Sequence, residues 1–429
     1  MTEKIFWNKR IETLPVKKLE KMQSKLLRNT VEMVYRYSKF YRARFKANNF
    51  KPSKIRDLKD IEKMPFTTRE DLENSFGEIL TVPFSQLATV KLTSGTTGKP
   101  LAIAHTQRDV SNIAEASARK LSYHGVTSKD IVQVSSTYGL WQGAWSVHWG
   151  AERIGACVIP VGSGDTERQI RIIKQFGTTV LYGVTNYHFR IAEVAKKLGE
   201  NLAKYSLRTG ICVSEKPSKE QVSRLKDEFG YGLVALDYGA TEFPGFSVNC
   251  SEDFESHHVW SDFYLVEVVD PRSHEVLGEG ERGELAVTSL QREAYPLIRY
   301  LSRDITHLKD FEKCGCGLTH HKIGADIDRE DFMVKVRGTS LFPSQVELIL
   351  EQAQGLAGRI QIVVDKRTPR QECTLRIEPH ENLSNAEQES IKTTLRDQIK
   401  NRVGITVDNI SFVPFGTFGD KFEKTVVIK

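Results

Sequence analysis

The sequence predicts an α/β protein in which a large N-terminal domain precedes a small C-terminal α+β domain. Between residues 90 and 310, short β-forming runs alternate with helical stretches, which is typical of layered α/β folds. Two longer β runs surround a glycine-rich turn within residues 263–288 and predict a β-rich subdomain. After Arg329 the pattern changes, so we place the domains at residues 1–328 and 329–429.

The first 85 residues are predicted to be mainly helical and basic. Between residues 16 and 46, apolar side chains recur at nearly helical spacing with lysine and arginine between them, which predicts one or two amphipathic helices. These apolar positions are Leu19, Met22, Leu26, Met33, Tyr37 and Phe40. A turn and a capped helix are expected over residues 64–72, where threonines and acidic residues precede an apolar position.

The remaining elements follow from local pattern in the same way. Four β runs predict consecutive strands at 131–136, 156–160, 179–182 and 233–237. The strands predicted to pair across the glycine-rich turn are 263–270 and 283–288. In the small domain we expect helices at 344–352 and 385–402, strands near 360 and 374, and a final strand.

Composition excludes several classes of protein. A chain of 429 residues with 39% apolar and 27% charged residues can bury a large core and has no disordered composition. No apolar run approaches the roughly 20 residues of a membrane span, and residues 1–10 lack a signal-peptide core. We therefore expect a cytoplasmic protein with no membrane partner. Six cysteines are too few for a disulfide scaffold, so metal binding is the first alternative for those that cluster.

Positive charge is concentrated at the N-terminus. The chain carries +6 overall, yet residues 1–54 hold fifteen Lys or Arg and four Asp or Glu, a net charge of +11. This segment could attract an acidic carrier protein or coenzyme phosphates, or it could form the solvated face of a helix. No nucleic-acid-binding signature accompanies it, so we predict no nucleic-acid partner.

Residues 92–100, Leu-Thr-Ser-Gly-Thr-Thr-Gly-Lys-Pro, form the most informative string. Its glycines let backbone amides approach phosphate closely, and its hydroxyls and lysine supply hydrogen-bond donors. The string is not a Walker P-loop, because two residues rather than four separate Gly95 from Gly98 and because Pro100 follows the lysine. The alternative is an unrelated flexible turn.

Other strings share an order along the chain with Thr93–Pro100. Together with Asp237-Tyr-Gly-Ala-Thr-Glu242, Tyr300-Leu-Ser-Arg-Asp304 and Arg329-Glu-Asp331, this string resembles the motifs of the adenylate-forming superfamily. Further strings extend the resemblance to the phenylacetate-CoA ligase family: Phe40-Tyr-Arg-Ala-Arg44, Pro65-Phe-Thr-Thr68, Gly150-Ala-Glu-Arg-Ile-Gly155, Thr166-Glu-Arg-Gln169, Pro296-Leu-Ile-Arg-Tyr300 and Phe342-Pro-Ser-Gln-Val-Glu347.

The resemblance implies a two-step reaction. A carboxylate attacks the α-phosphorus of ATP, pyrophosphate leaves, and the acyl-adenylate then reacts with a thiol. The Thr93 hydroxyl and the Glu242 carboxylate would help position Mg²⁺, which prefers hard oxygen ligands. The alternative for Glu242 is an exposed loop carboxylate. The β- and γ-phosphates would be held by Thr93 with Ser94, Gly95, Thr96, Thr97, Gly98 and Lys99.

The resemblance also assigns the rest of the nucleotide. Asp304 would accept hydrogen bonds from both ribose hydroxyls, and Arg329 would add a donor. Tyr238 would stack beside adenine, unless it is simply a core aromatic residue. The adenine edge would meet the backbone of residues 213–215. The other residues assigned to the nucleotide are Ser214, Glu215, Asp237, Gly239, Ala240 and Thr241.

Near the C-terminus, the family uses a lysine that bridges the incoming carboxylate and the phosphate. Lys424 occupies that position, although Lys421 is a second candidate because the preceding family glycine is Glu423 here. A solvated tail lysine is the alternative.

A hinge at Arg329–Asp331 would make the small domain mobile, although the surrounding string lacks one glycine and one acid of the family pattern. Gly338 would face the thiol channel, or it is an ordinary turn glycine.

Two further groups of residues complete the predicted sites. The acid pocket would be lined by Tyr138, Trp141, Gln142 and Trp145, unless these side chains pack in the core. They are bulky or polar where relatives often carry smaller apolar residues, so the acid need not be phenylacetate.

Three thiolates and one imidazole could close a tetrahedral zinc site without an open position, which would be structural. Its ligands would be Cys250, His258, Cys314 and Cys316, with unmetallated buried cysteines as the alternative.

We therefore predict an ATP-dependent, AMP-forming acid–thiol ligase that makes an acyl-CoA from an aromatic or other compact carboxylic acid. Its expected cofactors are ATP, Mg²⁺, coenzyme A as co-substrate and a structural Zn²⁺. An alternative hypothesis transfers the acyl group to a carrier-protein thiol or an amine. A third is a non-catalytic nucleotide-binding protein. The sequence does not set the oligomeric state, and a homodimer is compatible with it.

Overall fold

The structure is a computed structural model that describes residues 6–93, 100–214, 216–310, 314–329, 334–337, 339–341, 346, 349, 358–367, 370–379, 383–414, 417–418 and 426–428. Helices and parallel strands alternate through the middle of the chain, which confirms the predicted α/β fold class. Among these residues, no helix has the length and apolar character that crossing a membrane requires.

A helical layer forms the N-terminal part of the chain, as predicted. Its helices are α1 (Lys9–Glu12), α2 (Val16–Tyr37), α3 (Lys39–Ala47), α4 (Arg69–Asn74) and α5 (Phe76–Ile79). Leu19, Leu27 and Val31 are buried along one side of α2. Tyr37, which we expected on this apolar side, is 53% exposed because α2 ends there. The predicted cap of α4 is a capping box between Thr68 and Asp71.

An antiparallel hairpin of β1 (Leu87–Leu92) and β2 (Ala102–Thr106) precedes the central sheet. The central sheet has five parallel strands in the order β4-β3-β5-β6-β7. Its strands are β3 (Ile131–Val134), β4 (Cys157–Ile159), β5 (Val180–Val184), β6 (Thr209–Val213) and β7 (Leu233–Asp237). All four β runs predicted in this region are therefore confirmed.

Helices accompany the strands of the central sheet. They are α6 (Gln107–Tyr123), α7 (Gln142–Ile154), α8 (Thr166–Phe176), α9 (Thr185–Lys197) and α10 (Lys219–Phe229). Val184, Val213 and Asp237 are register partners at the carboxyl ends of β5, β6 and β7. In open parallel sheets, ligands bind beyond these carboxyl ends.

A larger sheet follows and forms the predicted β-rich subdomain. Its main path runs β10-β11-β12-β13-β9-β8, and β14 pairs with β12. The strands are β8 (Ser247–Asn249), β9 (Ser256–Val259), β10 (Tyr264–Val269), β11 (Arg282–Ser289), β12 (Tyr300–Lys309), β13 (Lys322–Gly324) and β14 (Asp328–Arg329). The antiparallel pairing of β10 with β11 confirms the predicted strand pair across the glycine-rich turn.

The C-terminal part of the chain has its own hydrophobic cluster, formed by residues between Val334 and Ile410. A four-stranded sheet in the order β19-β18-β17-β20 packs with a long helix. The elements are β15 (Val334–Val336), β16 (Thr339–Leu341), β17 (Gly358–Asp365), β18 (Glu372–Pro379), α11 (Asn385–Val403), β19 (Asn409–Phe412) and β20 (Val426–Ile428). Most of the helix predicted at 344–352 lies outside the described residues, and the domain boundary at residue 328 stays a prediction.

Candidate active site

Thr93 and Leu101, which lie on either side of the glycine-rich segment, are joined at the loop end of the β1–β2 hairpin. The Thr93 N–H donates to the Leu101 carbonyl at 2.9 Å, and the Leu101 N–H donates to the Thr93 hydroxyl oxygen at 3.0 Å. These bonds fix the Thr93 side chain at the start of the segment. Six residues predicted to hold phosphate lie outside the described residues: Ser94, Gly95, Thr96, Thr97, Gly98 and Lys99.

Glu242 lies in the interior, only 7% exposed, which excludes the alternative of an exposed loop carboxylate. Its Oε1 accepts a hydrogen bond from the Tyr300 hydroxyl at 3.1 Å and lies 3.7 Å from Nη1 of Arg69. The same guanidinium donates through Nη2 to the Thr93 hydroxyl oxygen at 3.4 Å. Arg69 therefore brings the two predicted Mg²⁺-positioning residues, Thr93 and Glu242, to one place.

Arg69 is a site residue that the sequence analysis missed. It is the first residue of α4, directly after the Thr68 cap, and its Nε also donates to Glu73 at 2.7 Å. An arginine beside a capping box looks like an ordinary surface residue of a helix. The one available signal was its position next to the string Pro65–Thr68.

A contact between distant parts of the chain holds this segment in place. The Thr67 N–H donates to the Arg299 carbonyl at 3.1 Å, and the Leu301 N–H donates to the Thr67 carbonyl at 2.9 Å. The Arg299 guanidinium forms a buried ion pair with Glu267 and donates to the Met64 carbonyl. The N-terminal helical layer is thereby attached to the start of β12.

Asp304 and Tyr238, the predicted ribose and adenine residues, are in direct contact. The Tyr238 hydroxyl donates to Oδ2 of Asp304 at 2.8 Å, and Asp304 is 5% exposed. The direction of Asp304 depends on an irregularity in β12, where the register with β11 shifts and Arg303 takes φ 62°. The Ser302 hydroxyl oxygen accepts from the Asp304 N–H at 3.1 Å. Such bulges redirect side chains near active sites.

The backbone of Arg329 pairs with that of Asp304 between β14 and β12. Arg329, the predicted ribose donor, therefore lies in the register position opposite Asp304, the carboxylate predicted to bind ribose. Ser214 directly follows β6, next to the carboxyl end of β7, and its backbone has φ 74°. Glu215 lies outside the described residues. The nucleotide roles of the β7 loop, Gly239, Ala240 and Thr241, stay predictions, with Thr241 buried at 6% exposure.

Each carboxylate oxygen of Asp237 has one protein partner. Its Oδ1 is 2.5 Å from Nζ of Lys120, and its Oδ2 accepts from the Tyr182 hydroxyl at 3.1 Å. Lys120 is 2% exposed. These contacts do not test whether Asp237 binds the nucleotide, so that role stays a prediction.

The four residues predicted for the acid pocket lie in different surroundings. Tyr138 bonds to Nδ1 of His148 at 3.0 Å, and Trp141 covers Gly143, where an added Cβ would be 2.5 Å from the indole ring. Gln142 is buried and donates to the Ser146 hydroxyl at 3.0 Å.

Trp145 lies over the ammonium of Lys91 at 4.3 Å, and burial lowers the pKa of that lysine. Tyr138 and Trp141 pack against the apolar cluster on the central sheet. The acid-pocket role of all four residues stays a prediction.

The predicted residues after Arg329 cannot be compared with the structure. Lys424, Lys421 and Gly338 lie outside the described residues, as do Glu330 and Asp331 of the hinge. Their roles stay predictions.

The predicted zinc ligands lie together, although they are up to 66 residues apart in sequence. Their ligand atoms all lie within 4.8 Å of one another: Cys250, His258, Cys314 and Cys316. The Cys250 and Cys314 sulfurs are 3.5 Å apart, and the Cys316 sulfur is 3.2 Å from Nε2 of His258. Distances of this size suit four ligands around one zinc ion, with bonds of about 2.0–2.3 Å.

The surroundings of this cluster favour metal binding as well. His258 donates through Nδ1 to the His320 carbonyl at 2.8 Å, which directs Nε2 toward the thiols. The Leu318 N–H donates to the Cys316 sulfur at 3.4 Å. Hydrogen bonds from Cys316 and then His258 lower the pKa of Cys250, which favours the thiolate form of this one cysteine.

Comparison with known proteins identifies the family. Residues 11–291 match the family model for AMP-binding enzymes, and residues 338–429 match the model for the AMP-binding enzyme C-terminal domain. The chain is 34% identical to the phenylacetate-coenzyme A ligase of Escherichia coli (strain K12) over 93% of this chain and 92% of that protein. The chain belongs to the phenylacetate-CoA ligase family of AMP-binding enzymes. The family that the sequence motifs indicated is thereby confirmed.

Other members and structures agree with this assignment. The phenylacetate-coenzyme A ligase of Thermus thermophilus is 36% identical over 86% of this chain and 84% of that protein. A crystal structure of 2-hydroxyisobutyryl-CoA ligase in its thioesterification state, with 2-HIB-AMP and CoA, has a TM-score of 0.88 at 27% identity and covers 98% of this chain and 91% of that chain.

The postadenylation state of the same ligase, with R3-HIB-AMP, gives a TM-score of 0.72 at 26% identity and covers 99% of this chain and 92% of that chain. The chain is therefore more similar to the thioesterification arrangement. The predicted enzyme class, an AMP-forming ligase, is confirmed by the family.

Proposed function

We propose that this protein is an ATP-dependent, AMP-forming ligase that activates an aromatic or otherwise compact carboxylic acid and transfers it to coenzyme A. Family membership supports the two-step reaction, because the relatives are named as coenzyme A ligases. The observation that carries the proposal is the buried arrangement of Arg69 between Thr93 and Glu242. In it, a cation and a carboxylate lie beside the hydroxyl of Thr93, the residue that precedes Ser94 and Gly95 in sequence.

In the first step, a carboxylate oxygen of the acid attacks the α-phosphorus of ATP and forms a mixed anhydride. The bond between the α-phosphorus and the bridging oxygen breaks, and pyrophosphate leaves with the electron pair. Arg69 would donate to the departing phosphates, where positive charge in a buried site is most effective. We propose that the Lys99 ammonium contacts the leaving pyrophosphate and that the Lys424 ammonium contacts the incoming carboxylate.

Mg²⁺ fits the oxygen donors of Glu242 and Thr93. Glu242 is buried, and its Oε1 accepts from one neutral hydroxyl, that of Tyr300, besides the guanidinium 3.7 Å away. Mg²⁺ bound with ATP would neutralise phosphate charge there, as hard oxygen ligands allow.

The other end of the nucleotide would lie along β12. Tyr238 would orient the Asp304 carboxylate, which then accepts from the ribose hydroxyls. In the second step, the sulfur of coenzyme A attacks the carbonyl carbon of the adenylate, the thiol proton is lost, and AMP leaves.

Two features support the proposed class of acid. Tyr138 and Trp141 supply aromatic surface beside the sheet end, which suits a flat ring. The relatives are named for phenylacetate, and the similar crystal structure is of a ligase for 2-hydroxyisobutyrate. Both acids are small, so the proposal covers aromatic and compact acids.

A carrier-protein thiol is the second candidate for the acceptor. Lys17, Lys21 and Lys25 are exposed along α2 and give the N-terminal layer a basic surface. An acidic carrier would bind such a surface, but so would the phosphates of coenzyme A. The names of the relatives favour coenzyme A.

We also propose that Cys250, His258, Cys314 and Cys316 bind a structural Zn²⁺. The spacing of their ligand atoms and the hydrogen bond that orients His258 support it. Four protein ligands leave no open coordination position, so this zinc would stabilise the fold rather than act on the substrate. Reduced cysteines of this kind suit a cytoplasmic location.

The test is pyrophosphate exchange into ATP with a panel of aromatic and small aliphatic acids, followed by product analysis with coenzyme A, a carrier protein and hydroxylamine. We expect exchange with at least one acid, and an acyl-CoA as the product of the complete reaction. An Asp304→Ala variant should lose exchange with every acid. Absence of exchange with all acids, in protein that is folded and zinc-loaded, would overturn the proposal.

A further inference from the structure

A buried polar triad lies at the carboxyl end of the central sheet. Its members are Lys120 of α6, Tyr182 of β5 and Asp237 of β7, joined by the 2.5 Å ion pair and the 3.1 Å hydrogen bond to Asp237. The side chain of Lys120 is 2% exposed and Tyr182 is fully buried, whereas the side chain of Asp237 is 10% exposed. Asp237 is therefore the most exposed member of the triad.

The triad borders the region that we assign to the acid. Asp237 is the last residue of β7, and its neighbours across the sheet are the last residues of β6 and β5. Tyr182 belongs to the same apolar cluster on which Tyr138 and Trp141 pack. Aromatic side chains and one carboxylate therefore lie together near these strand ends, which is where open parallel sheets bind ligands.

Stability alone does not account for an ion pair at this position. Removing two charges from water costs several kcal/mol, and apolar replacements of such pairs are often neutral or stabilising. Two acceptor positions of the Asp237 carboxylate are filled by Lys120 and Tyr182, and a carboxylate offers about four. Burial raises the pKa of Tyr182 well above 10, so its hydroxyl keeps the proton that it donates. The triad thus presents an acceptor to a ligand.

We propose that Asp237 determines which acid is used, by accepting a hydrogen bond from a hydroxyl or amino substituent on the ring of an aromatic carboxylic acid. Lys120 and Tyr182 hold the carboxylate in position. This inference rests on the ligase function proposed above and narrows its substrate to hydroxy- or amino-substituted aromatic acids.

The chemistry of the carboxylate disfavours other rings. A methoxy or nitro group can only accept, and it would face an anion. An unsubstituted ring would displace water from the Asp237 carboxylate without replacing its hydrogen bond, and sites built for such a bond discriminate strongly against ligands that lack it.

The first experiment measures pyrophosphate exchange by the full-length protein with benzoic and phenylacetic acids that carry hydroxyl, amino, methoxy or no substituent at each ring position. We expect kcat/KM for the best hydroxy or amino acid to exceed that of its unsubstituted and methoxy analogues by roughly 100-fold or more. Equal or better use of the unsubstituted rings would overturn this inference and leave the ligase function standing. Exchange with no acid at all would overturn the ligase function, and this inference with it.

Two variants test whether the triad causes the preference. Asp237→Ala leaves the Lys120 ammonium as the nearest charged group, so the preference should move toward the methoxy-substituted rings of the panel, which can only accept a hydrogen bond. The double variant Lys120→Met with Asp237→Leu removes both charges, so the ratio of kcat/KM values should fall toward one. The ratio is measured within each variant, so a loss of stability that affects all acids equally cancels. If Asp237→Ala does not fold, the double variant carries the test.

The matched control is an ion pair at the amino-terminal end of the strands of the same sheet. Arg208 and Asp130 lie 2.6 Å apart just before β6 and β3. Arg208→Met should lower stability while it leaves the acid preference unchanged. An unchanged ratio in both triad variants, or an equal change in the Arg208 control, would overturn the assignment of Asp237.

Discussion

The Tyr238 hydroxyl donates a hydrogen bond to Oδ2 of Asp304 at 2.8 Å, so the residues assigned to adenine and to ribose form one unit. A carboxylate that is held in one orientation loses less entropy when it binds two ribose hydroxyls. The Asp304 N–H is itself held by Ser302. We therefore expect nucleotide binding to depend on the bulge in β12 as well as on Tyr238 and Asp304.

Tyr238→Phe should raise the KM for ATP by about tenfold, because one hydrogen bond to a charged group is lost, and should change kcat little. Pyrophosphate exchange at varied ATP concentrations measures this. Tyr187→Phe is the control, since that hydroxyl donates to the Gly164 carbonyl at the surface. A KM within twofold of the original value would show that Tyr238 does not orient Asp304.

Arg69→Ala should lower the rate of adenylate formation by roughly 100-fold, the scale of one lost donor to developing negative charge. Arg69→Lys should recover part of this rate, because it restores the charge without the forked geometry. Single-turnover formation of the acyl-adenylate, measured as released pyrophosphate in the absence of coenzyme A, is the measurement. Arg108→Ala removes a surface arginine paired with Glu293 and serves as control. Full activity in Arg69→Ala would exclude a role at the phosphates.

Lys424→Ala is expected to reduce adenylate formation by about 100-fold or more, with the same electrostatic reason. Lys421→Ala should have little effect. The reverse result, with Lys421→Ala inactive and Lys424→Ala active in pyrophosphate exchange, would transfer the role to Lys421. Both lysine variants should be tested in adenylate formation, because thioester formation does not need the positive charge of this lysine.

Removal of zinc should lower the thermal unfolding midpoint by roughly 10 °C or more before it affects turnover at 25 °C. Cys316→Ser should behave in the same way, and the exposed Cys157 provides a control substitution to Ser. Elemental analysis of protein purified without chelator should find about one zinc per chain. A much lower content would exclude the metal site.

Stability should fall as pH rises through a window set by Glu12. Burial raises the pKa of this carboxyl from its ordinary value of 4.5 to about 7, despite the opposing Asn8 N–H and Arg119. Between these values the folded protein keeps a proton that the unfolded chain has released. The free energy of unfolding therefore decreases across this window, by roughly 3 kcal/mol.

Urea denaturation at pH 5 and pH 8 measures this dependence. Glu12→Gln is neutral at both pH values and should lose less stability between them than the original protein. Glu20→Gln, at an exposed position of α2, should leave the dependence intact. The same pH dependence in all three proteins would contradict the role of Glu12.

Sequence alone predicted much of the fold, because the helices and strands follow from local periodicity. The strand at 233–237 was located to the residue, and the antiparallel pair around 263–288 was correct. The error at Tyr37 arose where the helix ends, a position that periodicity does not define. The clustering of the cysteines with His258 was predicted from the tight spacing of Cys314 and Cys316 together with similar Cys and His positions in the resembled family.

The parts of the site that sequence did not predict depend on contacts between distant segments. Arg69 reaches Thr93 and Glu242 only because Thr67 is hydrogen-bonded to the strand that begins at Tyr300. The partners of Asp237 are likewise remote, since Lys120 precedes it by 117 residues. No local pattern pairs such residues, so they appear only when the chain is folded.

The attachment of Thr67 to β12 also sets a limit on how this enzyme can be reduced in size. A version that begins after residue 80 would lose Arg69 and with it the guanidinium at the phosphate end. It would also expose the hydrophobic core that α2, α3 and α5 share with the β-rich subdomain. We expect such a version neither to fold stably nor to turn over ATP, so the helical layer is needed for the core and for catalysis alike.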